Sequence, residues 1–382
     1  MMAMIFPEPA TETAQLALDT IYQRPRIGVP NWMIHVMEHS ILERLAGAQP
    51  GDYVRDPERV YLDAQRTAGA CLIDQYIPEN PLTIGSHGYD AEEKTATQGA
   101  DEINVDGLVI DSPEAAVDHL ERFVIPAIER DIANFNEDAR VEEIIAEEIA
   151  VQGKMGPSML KSGYAFIRFP TFSYSLYGYS NYFMAYALYP EVMERHFAIQ
   201  ADFALLNNRA AARAYTEGGL PPLYRLDFDM ADSRGLLVRP STLDRIWLPH
   251  FARCLEPMLK TDVRMIWHCD GNLMDLVPRL LDVGIRGFQG FQYEDGMDYE
   301  KICKMKTKDG DPLVIIGGVS VTRTLPMGAP GDVKREIDWL VENGPETGLF
   351  LAGSSSVAPG VPWENIQTMI EGFRYYREHG RK

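Results

Sequence analysis

In the C-terminal half of the chain, short apolar segments recur at intervals of roughly 25 to 40 residues, and this rhythm restricts the fold more than any other feature. The segments are "PPLYRLDFD" (221–229), "VRMIWHCD" (263–270), "RGFQGFQ" (286–292), "PLVIIGGV" (312–319) and "GLFLAGS" (348–354). Each is rich in β-branched or aromatic residues and runs into a turn containing Gly, Asp or Ser. Between and after them lie helix-like stretches at 241–260, 272–283, 298–306, 331–343 and 363–379. Strands alternating with helices imply right-handed βαβ units and a parallel sheet. The N-terminal half offers three weaker segments of the same kind, 26–32, 69–76 and 148–154. Together they make eight, the number that closes a (β/α)8 barrel. An open doubly wound sheet would normally carry a Gly-rich turn after its first strand, and none follows "RIGVPNW" (26–32). The expected architecture is therefore α/β, a single TIM barrel spanning 1–382. The segments 80–112 and 156–190 are read as insertions above it, and the acidic stretch 88–102 as a solvated loop.

Charge narrows the partners. With 56 acidic against 36 basic residues the formal charge is −20, which repels polyanions and disfavours nucleic acid and anionic membranes. No apolar run reaches the roughly 18 residues of a membrane span. The N-terminus lacks a basic region followed by a long apolar stretch, so the expected location is cytoplasmic. Cys71, Cys254, Cys269 and Cys303 are widely spaced without a CxxC pair, as expected of reduced thiols.

In a parallel barrel the chemistry sits where the strands end. The fourth segment ends in Asp227 and Asp229, and the fifth in "HCD": His268, Cys269 and Asp270. Side chains alternate across a strand, so His268 and Asp270 share one side and Cys269 takes the other, facing the helices. Asp229, His268 and Asp270 can then converge from adjacent strands, where two carboxylates beside an imidazole move protons or bind a divalent cation. The bland alternative is that Asp270 caps the next helix and His268 is a hydrogen-bonded core residue. Gln289, Gln292 and Glu294 lie at or beyond the end of the sixth segment, the glutamines as substrate contacts and Glu294 as a further metal ligand.

Three other patterns compete. "HVMEH" (35–39) matches H-x-x-E-H, the helical zinc motif, but a five-residue match arises easily by chance; His35 and His39 are better read as lining a pocket. "YSLYGYSNYFMAYALYP" (174–190) supplies an aromatic wall suited to a flat or apolar ligand. Tyr177, Tyr179 and Asn181, beside Gly178, are its pocket candidates, while Tyr186 and Tyr189 read as packing residues. The Gly- and Ser-rich turns "IGGVS" (316–320) and "GSSS" (353–356) can cradle a phosphate, though no basic residue accompanies them.

Taken in order, "SRGLLVRPSTLDRIWLPHFARCLEPML", "VRMIWHCDGN", "GFQGFQ", "IIGGV" and "GLFLAGSSSVAPGVPWENI" resemble the uroporphyrinogen decarboxylase superfamily, which also holds corrinoid-dependent methyltransferases. The resemblance runs from about residue 20 to 375 and is strongest from 220 onward. It too implies a (β/α)8 barrel. Decarboxylases of the family hold substrate carboxylates with arginines in a motif after the first strand. In the corresponding stretch this chain offers His35 and His39, and an imidazole has no guanidinium fork. Their His after the eighth strand is also missing, although Asp229 matches an Asp they use. The zinc methyltransferases carry H-x-C after the fifth strand and a Cys after the eighth. In that overlay His268 is kept, Asp270 replaces the first Cys and Ser355 the second.

The resemblance thus favours a methyltransferase over a decarboxylase. It implies methyl transfer from a small methoxylated, preferably aromatic, or N-methyl donor to a corrinoid protein. His268 and Asp270 would then activate the leaving oxygen or nitrogen, alone or through a zinc ion held by His268 with Asp229, Asp270 or Glu294. A homodimer is the assembly the superfamily suggests. The alternatives are a decarboxylase, which needs cations facing its pocket, and a non-catalytic barrel that only binds a small molecule.

Overall fold

A parallel strand buried on both faces can be apolar at every position, and the C-terminal strands meet that condition. All six residues of Val314–Val319 are buried, as are five of the six in Arg264–Cys269. The computed structural model describes residues 11–79, 100 and 102–381. In it, Leu223–Asp227, Arg264–Cys269, Gly287–Gly290, Val314–Val319 and Leu349–Gly353 form a five-stranded parallel sheet in sequence order.

Short pairings complete the ring. Asn31 bridges Leu351 and Trp32 bridges Leu72, so the chain at 31–32 stands between the eighth strand and the second. Leu72–Ile73 pairs with Leu160–Lys161, and Gly163 bridges Tyr224 of the fourth strand. Eight parallel staves therefore close on themselves, and the chain is the TIM barrel expected. Its helices lie outside. The longest, Pro190–Gly218, packs against Leu248–Leu259 and Glu137–Met155. The expected helices at 331–343 and 363–379 appear as Pro330–Asn343 and Trp363–His379.

One strand differs from expectation. Residues 148–154 are not the third strand; they lie inside the helix Glu137–Met155. Its buried residues Val141, Ile144, Glu148, Gln152 and Met155 follow a three- and four-residue spacing, the period of a helix. The true third stave, Leu160–Lys161, falls in the segment read as an insertion. The helix holds it by side chains: Lys161 N donates to Gln152 Oε1 at 2.8 Å, and Lys161 Nζ donates to both Glu148 oxygens at 2.9 Å.

The rest of that segment forms two short helices over the barrel, Tyr174–Tyr177 and Tyr179–Leu188. Of the other expected insertion, residues 104–109 form a small hairpin; most of the acidic stretch 88–102 lies outside the described residues. Among the described residues no helix is long and apolar enough to cross a membrane. All four cysteines are free thiols, and Cys71, Cys254 and Cys269 are buried.

Candidate functional site at the barrel mouth

Strand alternation decides which side chains face the barrel axis. On the fifth strand Trp267 packs outward among Phe169, Trp247 and Phe251. His268 therefore points inward, and Asp227, its partner in the ladder, points with it. Two residues back on the fourth strand, Arg225 shares that direction and is 3% exposed.

Arg225 ties four staves together. Nε donates to Asp74 Oδ2 at 2.6 Å, one terminal nitrogen to Asp227 Oδ2 at 2.6 Å, and the other to Gln75 Oε1 at 3.0 Å. Trp32 Nε1 donates to the second oxygen of Asp74 at 2.9 Å, and Tyr164 OH donates to Asp227 Oδ2 at 3.0 Å. The guanidinium lies 4.8 Å from the Tyr164 ring centre and 5.2 Å from that of Trp32. Burial pushes the Asp227 carboxyl up, but the neighbouring His268 and Arg225 and the bonds from Tyr164 and Arg225 outweigh it and hold it below the usual range. In this floor one guanidinium serves two carboxylates, and every one of its charged groups is held in well-formed hydrogen bonds.

Above it sits a cluster in which, among the described residues, no carboxylate pairs with a lysine or arginine. Ligand atoms of Asp229, His268 and Asp270 all lie within 4.8 Å of one another. His268 Nδ1 faces the Gln289 carbonyl at 3.4 Å. That acceptor places the neutral ring's proton on Nδ1 and leaves Nε2 toward the acids, 4.0 Å from Asp227 Oδ1 and 3.9 Å from Asp270 Oδ1. Asp229 Oδ1 accepts from Asp270 N at 2.7 Å, and Ser355 Oγ donates to Asp270 Oδ2 at 3.1 Å. The remaining oxygen, Asp270 Oδ1, is buried and has no hydrogen-bond partner, and neither has Gln289 Oε1. Burial raises the Asp270 pKa; His268 opposes the rise and Asp229 adds to it.

Backbone details aim these groups. Gly271 has φ +83°, and a Cβ there would stand 2.6 Å from the Asp232 carbonyl, so only glycine lets the fifth strand's end pass the 231–236 hairpin. Phe291 is held at φ +82° although it is not glycine, a strained conformation for a buried aromatic residue. The bend turns Gln292 back so that its Oε1 accepts from Gly271 N at 2.8 Å.

Next to the cluster opens a cleft of about 580 Å³, lined by Tyr174, Tyr179, Phe183, Asp229, Asp270, Gln292 and neighbouring residues. The Tyr174 and Tyr179 rings stack at 4.9 Å, and Phe183 lies 5.9 Å from Tyr174. Tyr174 OH donates to the Asp229 carbonyl at 3.0 Å, joining the aromatic wall to the acids.

The sequence-predicted residues thus divide. Asp229, His268 and Asp270 meet; Gln289, Gln292 and Tyr179 lie beside them. Tyr177 does not line the cleft: it is fully buried, with its hydroxyl 2.8 Å from His119 Nδ1. Asn181 donates instead to the Ile110 carbonyl at 2.9 Å. Glu294 is outside the three-residue cluster and accepts from Ser320 at 2.7 Å and from Thr322. His35 precedes the helix His39–Ala46, so the two histidines of H-x-x-E-H do not share a helical face and the protease motif is not formed.

His35 Nδ1 lies 3.1 Å from Ser356 Oγ; burial, with Arg225 adding to it, lowers its pKa to about 4. His39 stacks on Tyr53 with ring centres 4.3 Å apart. The serines after the eighth strand are committed to Val321 N, Asp270 and His35, which corrects the phosphate-cradle reading. Asp74 and Arg225 escaped the sequence reading. The signal was an arginine inside the apolar run "PPLYRLDFD", in step with Asp227 and Asp229.

The whole chain is similar in fold to a methyltransferase from Methanosarcina mazei, at 18% identity and a TM-score of 0.56, covering 97% of this chain and 99% of that one. A B12-independent methionine synthase from Shewanella sp. W3-18-1, solved with selenomethionine, aligns over 62% of this chain and 65% of its own at 11% identity; its TM-score of 0.31 is too low to support an argument. Comparison with curated proteins returns no match. Residues 222–376, from the fourth strand to the last helix and including Asp229, His268 and Asp270, match the model of the uroporphyrinogen decarboxylase (URO-D) family.

Proposed function

We propose that this protein is a cytoplasmic enzyme, one barrel domain over 1–382, that moves a methyl group from a small methoxylated or N-methyl donor to a corrinoid protein. The observation that carries the reading is the convergence of Asp229, His268 and Asp270 at the barrel mouth, with ligand atoms within 4.8 Å of one another. The fold shared with a methyltransferase supports it. Decarboxylation of a polycarboxylate has less support. Arg225 is engaged with Asp74, Asp227 and Gln75, and the cleft's one guanidinium, Arg234, is paired with Asp232.

The three side chains fit a divalent cation. Zinc ligands stand about 3.3 Å apart around a tetrahedral ion, so the set would have to draw in modestly, and the buried, unpartnered Asp270 Oδ1 offers a free donor atom. Asp229, His268 and Asp270 would hold the ion, and zinc there would supply Lewis-acid activation of a leaving atom that carries a lone pair, such as an ether oxygen. The chain's own residues do the rest. Gln289 O fixes the His268 tautomer, Ser355 and the Asp270 amide orient the two carboxylates, and the Arg225 floor holds Asp227 beneath them. The aromatic helices wall the cleft from water, and positioning the donor is the main contribution left to the protein. The corrinoid protein is the methyl acceptor and acts as a second substrate.

The test mixes purified protein with a reduced corrinoid protein and a panel of methoxyaromatics and N-methyl compounds, and follows methylation of the corrinoid by absorbance. Methylation that is lost in His268→Ala is expected; none with any donor refutes the proposal. Elemental analysis of both proteins reads the metal separately, with about one zinc per chain expected in the parent and much less in the variant.

A further inference from the structure

The cleft is lined by four carboxylates, Asp229, Asp232, Asp270 and Asp295, against one guanidinium, Arg234. That guanidinium is bound to Asp232 and its side chain is 87% exposed. Among the described residues, neither Asp229, Asp270 nor Asp295 pairs with any lysine or arginine. Even with a divalent ion at Asp229, His268 and Asp270, the lining would stay net negative.

A second observation is independent of charge. Gln289 is 4% exposed and pairs in register with His268, so its side chain shares the inward face, yet its Oε1 has no partner. Asp270 Oδ1 is likewise unsatisfied. One of these acceptors, Asp270 Oδ1, belongs to the cleft lining and the other stands beside His268 at the barrel mouth, and each is costly to leave buried without a donor or a cation. The same lining includes the rings of Tyr174, Tyr179 and Phe183, and aromatic ring faces attract cations.

Resting on the methyl-transfer reading, we infer that the donor is a cation: an N-methylammonium compound, protonated or quaternary, rather than a methoxylated aromatic acid. The chemistry balances without an added acid. The methyl carbon's bond to nitrogen breaks, its electron pair stays on nitrogen, and a neutral amine leaves. The two electrons of the new bond to the methyl group come from the reduced corrinoid. A methoxylated benzoate, by contrast, would bring its carboxylate against four others.

Calorimetric titration of the full chain tests this without any corrinoid. The probes are tetramethylammonium, trimethylammonium, choline, the uncharged carbon isostere of choline and methoxybenzoate. The cations are expected to bind, with choline at least tenfold tighter than its isostere. Tyr179 is 47% exposed, so Tyr179→Leu should fold; it should weaken choline about tenfold and leave the isostere unchanged. Asp295→Asn should weaken the cations several-fold, and added salt should narrow the gap.

Equal binding of choline and its isostere overturns the inference, as does no binding of any cation at millimolar concentration, or methoxybenzoate binding best. Cation binding without corrinoid methylation would sink the methyl-transfer reading and spare this one. Methylation from an aryl ether with no cation binding would do the reverse.

Discussion

Replacing Lys161 by Met tests how the third stave is held. Lys161 and Glu148 are 4% and 9% exposed at the side chain. The ammonium donates to both carboxylate oxygens at 2.9 Å and to the Ser162 carbonyl at 2.5 Å. Met keeps the stem's volume and removes the charge, leaving a buried carboxylate without its counter-ion, a loss of about 3–5 kcal/mol.

The loss should depend on pH, in a direction the pair dictates. Burial already lifts the Glu148 pKa above 4.5, with Lys161 opposing, so the folded chain holds that proton more tightly than the unfolded one. Stability from this group is therefore full below 4.5 and falls as pH rises through the folded pKa. Without Lys161 the folded pKa climbs further. Lys161→Met should cost most at neutral pH and clearly less at pH about 5, where Glu148 can be buried neutral.

Urea unfolding followed by tryptophan fluorescence measures this, since the midpoint shift times the slope gives the free-energy change. The double variant Lys161→Met, Glu148→Leu should recover to within about 1 kcal/mol of the parent, because an apolar pair replaces the ionic one at similar volume. A single-variant loss under about 1 kcal/mol, or one equal at both pH values, would refute the argument that the buried charge sets the cost.

Two other groups give pH predictions. Burial raises the Glu336 pKa to about 7, against the bond its carboxylate accepts from Ser320 N, so its stabilising contribution is full below 4.5 and is lost as pH rises through 7. Glu336→Gln keeps the acceptor and should raise the urea midpoint at pH about 8 while leaving it unchanged at pH about 4. His196 is buried and accepts from Gln200 Nε2 at 3.1 Å, so it is neutral, and burial lowers its pKa to about 4. Its contribution is full above 6.5 and falls away as pH drops toward 4. His196→Gln should flatten the acid side of the stability curve by up to one proton; an unchanged slope would show that this ring does not titrate with unfolding.

Strands four to eight were legible because each is buried on both faces, so its apolar run is continuous and its ends are marked by turns. The third stave was not. Its ladder is only Leu160 and Lys161, with a lone bridge at Gly163; one of the two is charged, and two residues carry no period. "EIAVQGK" looked like a strand because Ile149 and Val151 are β-branched; Glu148, Gln152 and Met155 mark it as one face of a helix. Asp229, His268 and Asp270 could be brought together on paper because strand parity and ladder order fix direction. Tyr177 could not be placed, since the partner that draws it inward, His119, lies 58 residues away.

The contrast between floor and rim leads to one more prediction. Arg225 pairs with both Asp74 and Asp227, whereas Asp229 and Asp270 face each other across His268 with no lysine or arginine beside them among the described residues. Like charges held this close favour the unfolded chain, in which they separate. In protein stripped of metal, Asp270→Asn should therefore raise the urea midpoint at neutral pH. It keeps an oxygen to accept from Ser355 and weakens the repulsion. Adding zinc should reverse the order, because a bound ion stabilises the fold in proportion to its affinity and the carboxylate is the better ligand. If the stripped variant is less stable than the parent, Asp270 is a structural residue fastened by Ser355. If zinc shifts both proteins equally, the cluster does not bind the ion, and the metal half of the proposed chemistry falls while the cation-accepting cleft stands on its own test.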